Sequence, residues 1–278
     1  MRLENSPASQ AFAEWLLKVG AGSNVSPQKT IQLPENMKLQ SNTLDGLIDS
    51  LYPGLSEGDK PDEYFLQRTI LSSKNDAVDH INSVVLDKFP GEKVTLASAD
   101  KVIGDQNIHY PVEYLNSINV SGLPLSKLEL KKGCPLMLLR NLDPRNGLCN
   151  GTRMILMDIK QRVLKCRILG GIHSGKEVYI PRISIEPSAE DLPIPLSRRQ
   201  FPVRLAFAMT INKAQGQSVV NVGLDLRTAV FGHGQLYVAL SRCTSADRIK
   251  VLFPVDQGNT DTANIVYPEV LIPTVPQV

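Results

Sequence analysis

Two stretches in the last third of the sequence gather residue types suited to phosphate chemistry. The first is Phe201-Pro-Val-Arg-Leu-Ala-Phe-Ala-Met-Thr-Ile-Asn-Lys-Ala-Gln-Gly-Gln-Ser218. An apolar run delivers Thr210, Asn212, Lys213, Gln215, Gly216 and Gln217 to its carboxyl end. Open α/β sheets bind ligands at that edge. Small polar groups, a lysine and a glycine at a helix start can hold phosphate oxygens. The alternative is a polar loop that merely caps a helix. The second stretch is Gly234-Gln-Leu-Tyr-Val-Ala-Leu-Ser-Arg242-Cys-Thr244. Here Arg242 ends an apolar helical run. A guanidinium is always ionised and forked, so it suits a phosphate. The alternative role is a favourable interaction with the helix C-terminus.

Other constellations offer less. Gly170-Gly-Ile-His-Ser-Gly175-Lys176-Glu177 has the spacing of a P-loop, G-x-x-x-x-G-K-[ST], but ends in Glu. The hydroxyl that would hold magnesium is missing, and a carboxylate repels phosphates. A strand-like run precedes it, and Val178-Tyr-Ile-Pro181 follows, so a hairpin turn is expected. The sequence holds no other such loop and no acidic pair after an apolar strand. His80, His109, His173 and His233 stand apart, without carboxylate or cysteine partners at ligand spacing. Cys134, Cys149, Cys166 and Cys243 form no C-x-x-C pair, which argues against a zinc site or a disulfide scaffold. No G-x-S-x-G elbow supports a hydrolase triad.

The elements that must position these residues can be read in order. Phe12, Trp15, Leu16 and Val19 share one face of a helix over 10–19. Residues 20–64 read as a connector with at most one short helix near Leu44–Leu51. Arg68–Ser72 reads as a strand. A capping-box-like start at Ser73 leads into a helix with Ala77, Ile81, Val84 and Val85 at helical spacing, closed by Pro90-Gly91. Pro135–Arg140, Thr152–Ile159, Val163–Leu169 and Val178–Ile185 are short runs separated by turn residues, the pattern of a small all-β barrel. Val203–Met209 and Val219–Leu226 read as strands, with Thr210 able to cap a helix through Gln215. Gly234–Ser241 reads as a helix and Arg248–Phe253 as a third strand. Strands alternating with helices imply a parallel sheet. The expected architecture is α/β, with a β-barrel inserted between two halves of one lobe.

Composition adds bounds. The 278 residues, 42% hydrophobic and 21% charged, are those of a globular chain. No apolar run approaches the roughly 18–20 residues of a membrane span. The N-terminus shows no secretory h-region, so the expectation is a non-secreted protein without membrane contact. The sequons at Asn119 and Asn150 then carry no weight. The net charge is +2, yet residues 121–210 hold 15 Lys/Arg against 7 Asp/Glu. A basic middle segment suggests a polyanion, and nucleic acid is the usual one.

The two long stretches resemble the fifth and sixth motifs of superfamily-one helicases. The form is that of Pif-type (petite integration frequency) and Helitron-associated 5′-to-3′ DNA helicases. The likeness extends to Leu148-Cys-Asn-Gly-Thr-Arg153, Ile180-Pro-Arg-Ile183, Arg198-Arg-Gln-Phe-Pro-Val-Arg-Leu-Ala-Phe207 and Arg68-Thr-Ile-Leu-Ser-Ser-Lys-Asn75. The opening Met1-Arg2-Leu3 is similar to the tail of the family's N-M-R-L element. The resemblance implies two RecA-like lobes with ATP and Mg²⁺ between them. This chain then resembles the second lobe with its inserted Src-homology-3-like barrel. Residues 1–64 would end the first lobe and connect, 65–129 and 200–278 would form the two halves of the second, and 130–199 the barrel.

By the same likeness Arg242 is the arginine finger and Arg2 a second phosphate-sensing arginine. Gln215 and Gly216 couple nucleotide to DNA, and Thr210, Asn212 and Lys213 lie near the DNA backbone. The family often carries His where Asn212 stands. The implied partners are single-stranded DNA, ATP and an N-terminal helicase lobe. The implied setting is the nucleus, with the mitochondrion as the alternative, in replication, repair, recombination or telomere maintenance. An arginine finger is worth about 10³–10⁵ in rate, but only once a P-loop lysine and magnesium have assembled the site. The chain alone is therefore expected not to hydrolyse ATP. A non-catalytic single-stranded DNA-binding fragment is the competing class.

Overall fold

The computed structural model describes residues 7–58, 60–104, 110–120, 122–187, 192, 194–255 and 257–270. The chain divides into two compact units. One comprises residues 1–54, 67–81 and 208–278, the other 55–66 and 82–207.

The first unit is built on a four-stranded parallel sheet. Ala208–Thr210 lies beside Arg68–Ser72, then Asn221–Asp225, then Ile249–Leu252. Ile70, Leu71, Val222, Leu224 and Val251 are buried almost completely, as expected for strands covered on both faces. The helix Leu44–Leu51 packs on these strands, its first turn capped by the Thr43 hydroxyl, which accepts from the Gly46 N–H. Gly223 permits that approach. A Cβ there would stand 3.1 Å from both Leu47 and Leu51. The helix Pro7–Ala21 buries Phe12, Leu16 and Val19, while Trp15 stays half-exposed.

Residues 20–54 are more than a connector. Thr30–Gln32 pairs with Asp261–Ala263, and Leu33 and Met37 are buried. The Asn42 side chain donates to the Phe253 carbonyl and accepts from the Phe253 N–H. This segment lacks period because it is anchored residue by residue to the sheet edge.

The second unit is mainly antiparallel. Its five-stranded sheet runs Val203–Leu205, Pro135–Leu138, Arg153–Ile159, Val163–Ile168, Glu177–Pro181. The short runs and turns expected over 135–181 are all present, and the pairing order is open. A second sheet runs Ile183–Ile185, Leu196–Gln200, Ala99–Val102, and a two-stranded one pairs Val94–Ala97 with Lys127–Leu130. Leu115, Ile118, Leu123, Ile185, Ile194 and Leu196 form a core cluster.

Three expectations are thereby revised. The β unit begins well before residue 130, because the strands of 94–102 pair with partners in 127–130 and 196–199. Residues 82–129 therefore group with it and not with the parallel sheet. Val203–Met209 is two strands, not one: Val203–Leu205 pairs antiparallel with Pro135–Leu138, and Ala208–Thr210 parallel with Arg68–Ser72. The basic excess of 121–210 is largely consumed inside the unit. Arg198 is fully buried, donating to both Asp100 carboxylate oxygens and to the Leu115, Ile118 and Pro124 carbonyls. Arg153 donates to the Phe65 and Leu66 carbonyls, and Arg204 to Asn119 and Leu123. Lys132 and Lys160 both pair with Asp158, holding its carboxyl well below the usual range, and Arg167 grips Asp62.

Candidate functional site

The two motif stretches meet in the first unit. The strand Ala208–Thr210 ends in a single 3-10 turn, Ile211–Ala214, where a helix through Gln215 was expected. Thr210 precedes that turn but makes no side-chain cap bond. Asn212, Gln215 and Gly216 are exposed, and Thr210, Lys213 and Gln217 are half-buried. Ile211 and Ala214 are buried and pin the turn from beneath. Gly216 has φ +81° with open space where a Cβ would stand, so a side chain is opposed there by backbone conformation alone.

The helix Gln235–Leu240 packs against this turn. Its last residues carry Arg242 onto the loop. The Arg242 Nη1 donates to the Gln217 carbonyl at 3.0 Å and the Ala214 carbonyl at 3.3 Å. Nε donates to the Val238 carbonyl at 2.9 Å, and Nη2 to the Ser241 hydroxyl at 2.9 Å. Four of the five guanidinium protons are thereby engaged. Partial burial lowers the affinity of Arg242 for its proton. In return the Val219 N–H donates to the Arg242 carbonyl at 3.1 Å. So Arg242 touches the segment that carries Gln215 and Gly216. The suggested contact with the end of its own helix is also present, through Val238. Arg2 lies outside the described residues.

Some contributors went unread in the sequence. Gln235 is buried, and its Oε1 accepts from the Phe231 and Gly232 N–H groups, fixing the entry to the helix. A glutamine straight after Gly234 at a helix start was the available signal. At the carboxyl edge of the sheet, Asp225 is buried and holds Arg227 bidentately at 2.9 and 3.0 Å. The Ser72 hydroxyl reaches the same carboxylate at 3.5 Å. Register alone brings Ser72 beside Asp225.

The P-loop-like stretch is a hairpin turn between Val163–Ile168 and Glu177–Pro181. The Ile168 N–H donates to the Lys176 carbonyl, and the Lys176 ammonium donates to Asn146 at 2.6 Å. All four cysteines are free, and burial pushes the Cys134 and Cys166 thiols up to about 12. Among the described residues no His, Cys, Asp and Glu cluster could hold a metal ion, and no helix is long and apolar enough to cross a membrane.

Residues 113–159 match the model of the DNA helicase Pif1 2B domain, and this match lies wholly within the second unit. The ATP-dependent DNA helicase PIF1 of Xenopus laevis is 30% identical over 187 residues, 66% of this chain and 27% of that protein. The ATP-dependent DNA helicase Pif1 of Bdellovibrio bacteriovorus is 28% identical over 250 residues, 89% of this chain and 54% of that one. The crystal structure of Pif1 helicase from Candida albicans superposes with a TM-score of 0.57 at 25% identity, over 87% of this chain and 53% of the other. The chain corresponds to the C-terminal part of a Pif1-type helicase. It spans about a quarter to a half of the length of these two relatives. The Bacteroides Pif1 in complex with ADP-AlF3 and single-stranded DNA shares the fold, with a TM-score of 0.56 at 22% identity over 96% of this chain and 52% of the other.

Proposed function

We propose that this chain is the second, RecA-like lobe of an ATP-dependent 5′-to-3′ DNA helicase. Its antiparallel unit would be the counterpart of the family's small Src-homology-3-like barrel. The observation that carries the reading is the Arg242 guanidinium on the Ala214 and Gln217 carbonyls. One side chain joins the nucleotide-facing motif to the DNA-facing loop. A γ-phosphate presented by a first lobe competes with two neutral carbonyls for the same charged N–H groups. Charge-assisted bonds to an anion are the stronger. Drawing Arg242 away therefore releases the loop bearing Gln215 and Gly216, which is a mechanical link between nucleotide state and DNA grip.

In this reading Thr210, Asn212 and Lys213 track the DNA backbone, and Arg2 acts as a second phosphate sensor. The chain's own residues suit the phosphates of ATP through Arg242. They do not suit Mg²⁺, for which the described residues offer no carboxylate cluster. Metal and P-loop would come from the first lobe, and the chain alone would not turn over ATP. DNA maintenance in the nucleus, including repair, recombination, telomere and Helitron roles, follows from the family reading. The Bacteroides neighbour, held with ADP-AlF3 and single-stranded DNA, supports both ligand classes.

The test is binding of a labelled oligothymidine to the chain across a salt series. Lys213→Ala should weaken binding and flatten the log–log slope by about 0.7, the value for one single-strand phosphate contact. An unchanged slope with a folded variant would contradict the assignment.

A further inference from the structure

We infer that the second unit carries its own phosphate-binding basin for single-stranded DNA, formed by Arg162, Arg182 and Arg199. This goes further than the proposed function, on which its choice of ligand rests. Three separated segments converge there. The turn between Arg153–Ile159 and Val163–Ile168 supplies Gln161 and Arg162. The junction between Glu177–Pro181 and Ile183–Ile185 supplies Pro181 and Arg182. The strand Leu196–Gln200 supplies Arg199, opposite Ala99 in register. Together these six residues line a cavity of about 560 Å³.

Strand geometry explains why adjacent arginines take opposite roles. Alternation turns Arg198 and Gln200 inward and Arg199 outward. Arg198 meets Asp100 and three carbonyls, whereas Arg199 faces the cavity across from Ala99, whose methyl leaves room. Arg182 is held in place rather than loose. Its guanidinium lies 4.6 Å from the centroid of the buried Phe201 ring, and its Nη1 donates to the Ala97 carbonyl at 2.6 Å.

Among the described residues no carboxylate lines the basin. This contrasts with Lys132, Lys160, Lys165 and Arg167, each paired to an acid. Burial and the neighbouring Arg199 both weaken the hold of Arg182 on its proton, so an anion placed between them relieves repulsion. Among the described residues no aromatic ring lines the basin, and Phe201, beneath Arg182, is buried and has no face free for a base. Recognition is therefore of phosphate and independent of sequence. A single-stranded DNA backbone presents successive phosphodiesters to such a row of guanidinium groups.

The test uses the full chain and a fluorescein-labelled oligothymidine, titrated at several salt concentrations. Arg162 and Arg199 are exposed, so Arg162→Ala/Arg199→Ala should fold as the parent does. The log–log salt slope is expected to fall by about 1.4, two contacts at roughly 0.7 each. Phenylglyoxal labelling read by mass spectrometry should show Arg162 and Arg199 shielded by the oligonucleotide. A parent-like slope in the double variant, with both arginines labelled as fast in the presence of DNA, would overturn the basin while leaving the helicase reading intact. A loss of slope in the double variant with no effect of Lys213→Ala would support the basin and overturn the proposed track. A parent chain that does not bind the oligonucleotide even at low salt would overturn both.

Discussion

Replacing Arg242 by Ala removes a side chain that ties the end of the helix Gln235–Leu240 to the loop 214–217. Two bonds cross between elements, to the Ala214 and Gln217 carbonyls. A hydrogen bond to a charged group contributes about 1.5–3 kcal/mol when buried. Arg242 is half-buried, so water replaces part of each bond and the lower end applies. About 2–3 kcal/mol of local stability should be lost. At roughly tenfold per 1.4 kcal/mol, that is about a 30- to 150-fold increase in opening of the loop. Native-state hydrogen exchange reports this opening at individual amides. The probes are the Gln217 N–H, which donates to the Ala214 carbonyl, and the Val219 N–H, which donates to the Arg242 carbonyl. Arg242→Lys should recover only part of the protection, because one ammonium cannot reproduce the fork. If the loop 214–217 faces DNA as proposed, the same loosening should weaken DNA binding moderately, since that loop loses its anchor. Exchange at both amides within twofold of the parent in Arg242→Ala would show that Arg242 does not anchor the loop.

Other outcomes follow from named contacts. The chain alone should show no DNA-stimulated ATP hydrolysis above background, and Lys176→Ala should change nothing, because Lys176 sits beside a hairpin turn and holds Asn146. Asp100→Ala should destabilise the second unit by about 3–5 kcal/mol in a denaturant titration, because it leaves the fully buried Arg198 without its counter-ion. The buried thiols set an alkaline limit. The raised affinity of folded Cys134 and Cys166 for their protons is a stabilisation fully present below the ordinary thiol value of 9.0 and lost as pH climbs toward about 12. Thermal melts should drop over that window, and Cys134→Ala/Cys166→Ala should flatten the drop. Gly223→Ala should cost about 1–3 kcal/mol, since the new methyl meets Leu47, Leu51 and Ile70 within 3.2 Å.

Much of the fold was legible because its signals are local. Turn residues punctuate the strands from 135 to 185, and helical spacing marks Pro7–Ala21 and Asn75–Lys88. Ala208–Thr210 and the turn after it were readable as a strand delivering polar groups, because an apolar run stops abruptly at Thr210. The failures are non-local. Nothing in residues 20–54 announces that Asn42 clamps Phe253, since the partner is 211 residues away. The break after Leu205 is invisible because both strands it separates are apolar. The charge count was too coarse for a related reason. Composition cannot distinguish Arg198, buried on an aspartate, from Arg199, which faces a cavity, although the two are neighbours. The contact of Arg242 with the loop carbonyls was also beyond reach, because main-chain acceptors leave no mark on sequence.

The proposed seat of the DNA backbone is the 210–217 edge. It is tested most directly by photo-crosslinking the chain to an oligothymidine carrying 4-thiothymidine and mapping the adduct by mass spectrometry. Adducts are expected within the peptide spanning residues 208–218, reduced in Lys213→Ala and competed by unlabelled strand. Efficient crosslinking confined to other peptides, with 208–218 unmodified, would contradict it.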